Sequence, residues 1–192
     1  MMQTMTSSSG RTRAPRQEHL QQVGMGQLSV GMHEEQLQAL LGSCIGIGFI
    51  WKKGGCCGLA HCLLPEAPGG ATGERSVGAR YVSQAVPSLL RLMGARVADY
   101  PDIEVVLAGG ASMFGPSTSQ SRLQVGKKNV EAAQKYLEQC GLHVSFCALG
   151  GRRGRQLLID CAHHSYAVTE VAADAAPAAR LTRPRKESAY GH

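Results

Sequence analysis

The sequence predicts an α+β fold: a layered sandwich of mainly antiparallel or mixed β-sheet with helices packed outside. Three observations predict it. Short apolar runs rich in Ile, Val, Leu and Gly recur between glycine-rich turns, as strands do. Two stretches carry the main helical period. Strands and helices do not alternate regularly, which sets the chain apart from a βαβ repeat.

Taken in order, "QLSVGMH" (27–33) alternates roughly as a strand. "CIGIGFIW" (44–51) and "CCGLAHCLL" (56–64) are apolar runs joined by the turn text "KKGG", and they read as a hairpin that Pro65 ends. "EAPGGATG" (66–73) reads as a loop. Tyr81, Val82, Ala85, Val86, Leu89, Leu90 and Met93 then recur at helical spacing, with Gly94 as the stop. Pro87 falls inside that pattern and predicts a kink or a division of the helix. "IEVVLAGG" (103–110) reads as a buried strand running into a glycine turn. "GKKNVEAAQKYLEQCG" (126–141) predicts a second helix, with Val130, Ala133, Leu137 and Cys140 on one face and Gly141 just past its end. Strands over 142–151, 155–162 and 165–171 complete the set.

The chain of 192 residues fits one domain, expected over 21–174, between a disordered tail at 1–20 and a basic disordered tail at 175–192. Aromatic residues make up 5%, so the core rests on Val, Leu, Ile, Ala and Gly. The net charge of +6 is concentrated in the tails, at Arg11, Arg13, Arg16, Arg180, Arg183, Arg185 and Lys186. The folded part is left close to neutral, without a basic stripe interleaved with aromatics, which argues against a nucleic-acid partner. No run approaches the ~18 apolar residues of a spanning helix, so no membrane insertion is expected. Seven unevenly spaced cysteines suit a reducing cytoplasm better than a disulfide framework.

The chemistry gathers at "GSCIG" (42–46) and "GLAHC" (58–62). A hairpin turn centred between Lys52 and Lys53 sets Cys44 opposite His61, and one centred on Lys53 and Gly54 makes them a diagonal pair. In either register the side chains lie roughly 5–8 Å apart. A thiolate is the reactive form of cysteine, and a neighbouring imidazolium lowers the thiol pKa. The imidazole then returns the proton to a departing amine. Gly42, Ser43 and Gly46 are small enough to admit a substrate to the backbone, and Ser43 and Gly42 are candidates for the oxyanion side of the pocket. Residue types alone leave the plain alternative open, a packed thiol beside a core histidine. Zinc would need Cys56, Cys57, His61 and Cys62 to converge, but neighbours in a strand point to opposite faces, so no metal is expected. "GSCIG" also matches the nucleophile elbow of an α/β-hydrolase, which requires a helix after the nucleophile, whereas "IGIGFIW" continues as a strand.

"LGSCIGIGFI", "GLAHCLLP", "AGGASMF" (108–114), "VGKKNVEAAQKYL" (125–137) and "LGGRRGRQL" (149–157) follow one another in the order of the CheD family of chemoreceptor glutamine deamidases. The chain resembles that family over about 22–170. The resemblance implies hydrolysis of selected glutamine side chains of methyl-accepting chemotaxis receptors to glutamate, with release of ammonia and without a cofactor. It places the nucleophile on Cys44 and the histidine on His61, the pair that the hairpin had already brought together. It further implies glutamyl methyl ester hydrolysis and a CheC-type phosphatase as a second partner. The family's third catalytic residue is a threonine six positions before the nucleophile, where this chain has Gln38, and no Thr stands between Ala14 and Ala71. The carboxamide of Gln38 would then orient the imidazole, as an Asn does in Cys-His-Asn sites. Asn129 reads as a cap or bridge near the start of its helix, and "GGRRGR" as a turn of exposed arginines suited to an acidic receptor surface. The competing reading is a non-catalytic adaptor that binds receptors or a CheC-like phosphatase.

Overall fold

Burial on both faces explains the almost unbroken apolar text of the central hairpin. In the computed structural model, which describes residues 19–68, 77–112 and 120–171, strand β4 (Ile45–Trp51) and strand β5 (Cys56–Cys62) pair antiparallel at the middle of a five-stranded sheet. The sheet is completed by β2 (Leu28–Met32) beside β5, β6 (Glu104–Gly109) beside β4, and β7 (Val144–Leu149) at the edge beyond β6. A second sheet has the order β1 (His19–Gln22), β3 (Glu35–Leu41), β8 (Gly154–Asp160) and β9 (Ser165–Val171). Neighbours are antiparallel except β1–β3 and β6–β7, so both sheets are mixed, as the sequence predicts.

Strand alternation assigns each residue of β5 to a layer. Cys57 and Leu59 face the four-stranded sheet, where Leu37, Ala39, Leu41, Leu157 and Ile159 meet them in one apolar core. Cys56, Ala60 and Cys62 face the other way, against Val82, Ala85 and Leu89 of α1 (Val82–Leu92) and Ala133 and Leu137 of α2 (Gln120–Gln139). The layers are therefore sheet, sheet and helices. Among the described residues, no helix is long and apolar enough to cross a membrane.

Four elements depart from expectation. Helix α1 runs unbroken through Pro87. An interior proline costs ~3 kcal/mol, yet Val82, Ala85, Val86, Leu89 and Leu90 are all buried on one face, each large side chain contributing about 1.5–3 kcal/mol. Helix α2 starts at Gln120, ahead of the predicted Gly126. Strand β1 begins at His19, inside the stretch 1–20 read as a tail, and crosses its boundary, and β3 occupies a stretch that carries no assignment in the sequence reading. The remainder of both tails, residues 69–73 of the predicted loop and the end of "GGASMF" lie outside the described residues.

Candidate active site

The chain leaves β3 at Leu41, bends through Gly42, Ser43 and Cys44, and enters β4 at Ile45. The hairpin register pairs Ile45 with Cys62 and Gly46 with His61. The turn is thus centred on Lys53 and Gly54, and Cys44 and His61 form the diagonal pair of the two predicted registers. Both belong to the face of the hairpin that looks toward the four-stranded sheet. Cys44 packs against the edge of the core between the sheets and stays half-buried. A Cβ at Gly46, opposite His61, would lie 2.7 Å from Leu41 Cδ1, so glycine lets Leu41 close the floor of the site.

His61 is 3% exposed and held on every side. Its main chain donates to the Gln27 carbonyl (2.9 Å) and accepts from the Gly26 N–H (2.8 Å). Its Nδ1 lies 3.1 Å from the Val23 carbonyl oxygen. A carbonyl can only accept, so Nδ1 carries the proton and Nε2 keeps its lone pair. Nε2 is buried, and among the described residues nothing hydrogen-bonds it. The Val23 N–H in turn donates to the Gln38 carbonyl at 2.7 Å. Gln38 therefore joins the site through its main chain. Leu37 and Ala39 point into the core, so the Gln38 side chain projects from the opposite face of β3, away from the imidazole. The ring is oriented by Val23, a residue the sequence reading did not single out.

Burial acts on the pair in opposite senses. It holds His61 below the ordinary imidazole range, partly offset by the Val23 carbonyl. It pushes the Cys44 thiol up, partly offset by the residue's own N–H, which faces the sulfur. Desolvation thus disfavours both the thiolate and the imidazolium.

The bend that carries Cys44 is gripped by its carbonyls. The Gly42 carbonyl accepts from Ala111 N–H (2.8 Å), and the Cys44 carbonyl accepts from Gly110 N–H (2.7 Å). Between them, Asn129 Nδ2 donates to the Ser43 carbonyl (3.1 Å). Gly109 and Gly110 have φ of 108° and 66°, and a Cβ on Gly109 would collide with the Cys44 carbonyl oxygen. The double glycine at the end of β6 is thus required for the chain to close on the bend. Arg155, also nearly buried, donates to the Gly150 carbonyl at 2.6 Å and ties the neighbouring glycine turn to the same end of the sheet.

The structure thus brings together Cys44, His61, Ser43 and Gly42. Cys56 and Cys62 face the helices while Cys57 and His61 face the other sheet, and among the described residues no three His, Cys, Asp or Glu side chains gather to hold a metal ion. The other cysteines of the hairpin are fully buried.

Residues 63–170 match the family model described as CheD chemotactic sensory transduction. A protein of Bdellovibrio bacteriovorus named "Probable chemoreceptor glutamine deamidase CheD" is 36% identical over 137 residues, which span 71% of this chain and 86% of the relative. The chain belongs to the CheD family. A CheD of Methanococcus maripaludis is 38% identical over 137 residues, again 71% of this chain and 86% of the relative. A second CheD of a Ruegeria species is 35% identical over 162 residues, 78% of this chain and 90% of the relative. Both carry the same name as probable chemoreceptor glutamine deamidases. The CheD model match opens two residues beyond His61 and so covers neither Cys44 nor His61.

Proposed function

We propose that this CheD-family chain is a cysteine-dependent deamidase of glutamine side chains in methyl-accepting chemotaxis receptors, acting in the cytoplasm through one domain over 21–174. The observation that carries the reading is the diagonal placement of a half-buried Cys44 beside a His61 whose Nδ1 is committed to Val23 and whose Nε2 is free to take a proton.

Cys44 Sγ attacks the carboxamide carbon while His61 Nε2 removes the thiol proton. The carbonyl electron pair moves onto oxygen, against the N–H groups of the Gly42–Cys44 bend. The C–N bond then breaks, His61 returns the proton to the leaving nitrogen, and ammonia departs from a thioester. Water, deprotonated by His61, attacks the thioester, and glutamate leaves as the thiol is restored. The same thioester forms from a glutamyl methyl ester by loss of methanol, so ester hydrolysis belongs to the proposal. A CheC-type phosphatase is the further partner proposed, and the exposed Arg152 and Arg153 of the "GGRRGR" turn are offered to an acidic receptor surface, Arg155 being buried. The chemistry calls for no cofactor.

The test is incubation of the full chain with a receptor cytoplasmic fragment, following ammonia release and mapping glutamine-to-glutamate conversion by mass spectrometry. Conversion at discrete positions is expected. Stable binding without any conversion would overturn the reading in favour of an adaptor.

A further inference from the structure

Asn129 is the one asparagine or glutamine side chain among the described residues that is wholly withdrawn from solvent, with 0% exposed. It sits on α2, yet both its amide hydrogens leave the helix. One goes to the Ser43 carbonyl (3.1 Å) and the other to the Leu63 carbonyl (2.9 Å). Ser43 precedes Cys44 and Leu63 follows His61 by two residues, so one carboxamide clamps the two segments that carry the reacting pair. Two carbonyl acceptors fix the amide's orientation, because Oδ1 turned toward them would meet only other oxygens. Oδ1 is consequently buried with no hydrogen bond among the described residues. A lone buried acceptor costs stability, but the two donated hydrogen bonds offset it, since an apolar side chain of similar size would leave the Ser43 and Leu63 carbonyls without their donor. The clamp also has a consequence at Cys44.

Peptide planarity shows what that is. In a trans peptide the N–H points opposite the C=O, so a grip on the Ser43 carbonyl sets the direction of the Cys44 N–H. That N–H lies beside the Cys44 sulfur, the atom that would attack a substrate carbon. We propose that Asn129 is a positioning residue which, by holding the Ser43 carbonyl, aims the Cys44 N–H at the oxygen of the substrate carboxamide. The inference rests on the deamidase reading. Its main role is to orient a donor for the oxyanion, so deamidation depends on it more than the reactivity of the thiol does.

Asn129→Leu separates those two effects. Deamidation of the receptor fragment passes through an oxyanion, whereas alkylation of Cys44 by iodoacetamide, mapped on the Cys44 peptide, does not. The expected result is a fall in kcat of about 10- to 100-fold, with KM and the alkylation rate of Cys44 within about twofold of wild type. Equal loss of deamidation and alkylation would reduce Asn129 to a structural brace and overturn the inference, as would unchanged kcat. Should the variant fail to fold, nuclear magnetic resonance of the wild-type Asn129 carboxamide decides. Slow exchange of both amide hydrogens is expected, and exchange at the rate of an exposed amide would overturn the clamp. Wild type assayed alongside separates the two ideas, since absence of conversion by wild type defeats the deamidase reading itself.

Discussion

Cys57 and His61 project from the same face of β5, four residues apart, and each meets a cysteine from outside its own strand. At the Cys57 end the neighbour is Cys161, just past β8, and both thiols are sealed in the core between the sheets. The Cys161 sulfur beside it, together with burial, drives the Cys57 thiol far above its ordinary range. At the His61 end the neighbour is Cys44, half-buried at the mouth of the same core, beside an imidazole with a free lone pair and under its own N–H. The two ends share strand, face and residue type. What would separate a packed thiol from the proposed nucleophile is a proton acceptor, access, and a donor for the oxyanion.

Substituting each thiol sharpens that contrast. Cys44→Ala is expected to lower receptor deamidation by at least about 10³-fold while the circular dichroism spectrum and melting temperature stay near wild type. Cys57→Ala is expected to do the reverse, costing about 1–2 kcal/mol of stability in a denaturant titration while keeping activity. Loss of activity in a folded Cys57→Ala protein would break the comparison.

The pH profile probes the His61 end alone. Protonated His61 cannot accept the thiol proton, so activity falls as pH drops through the His61 pKa. Burial places that pKa below the ordinary value, so the acid limb of kcat/KM should lie below about 6.5. An acid midpoint at or above that value would contradict a buried neutral imidazole.

The smallest effect concerns Gln38. The Val23 N–H is held by the Gln38 main-chain carbonyl, which Gln38→Ala retains. Its kcat should stay within about twofold of wild type, the range of an outward-facing substitution. A large fall would show that the carboxamide reaches the site after all.

The layered fold, the hairpin and the Cys44–His61 pair were legible because strand alternation and turn text are local signals. The register became definite only with the structure, since one residue of turn placement separates an opposed pair from a diagonal one. Strand β3 escaped notice for a physical reason. Its text "EQLQALL" is composed of good helix formers, and only the core contact of Leu37, Ala39 and Leu41 overrides that propensity. The exposed β1 offers no apolar pattern at all. Val23 was invisible because it acts through its carbonyl, a group every residue possesses. In sequence Asn129 reads as a cap or bridge near the start of its helix; it sits in the middle of α2 and bridges to partners 86 and 66 residues away, which no local pattern names.

The most direct measurement is acid quench of a single turnover with the receptor fragment, followed by mass spectrometry of the Cys44 peptide. The account predicts a transient adduct on Cys44 with the mass of the receptor peptide less ammonia, absent from Cys44→Ala. Full conversion of glutamine to glutamate by Cys44→Ala at the wild-type rate, or an adduct on another residue, would contradict it.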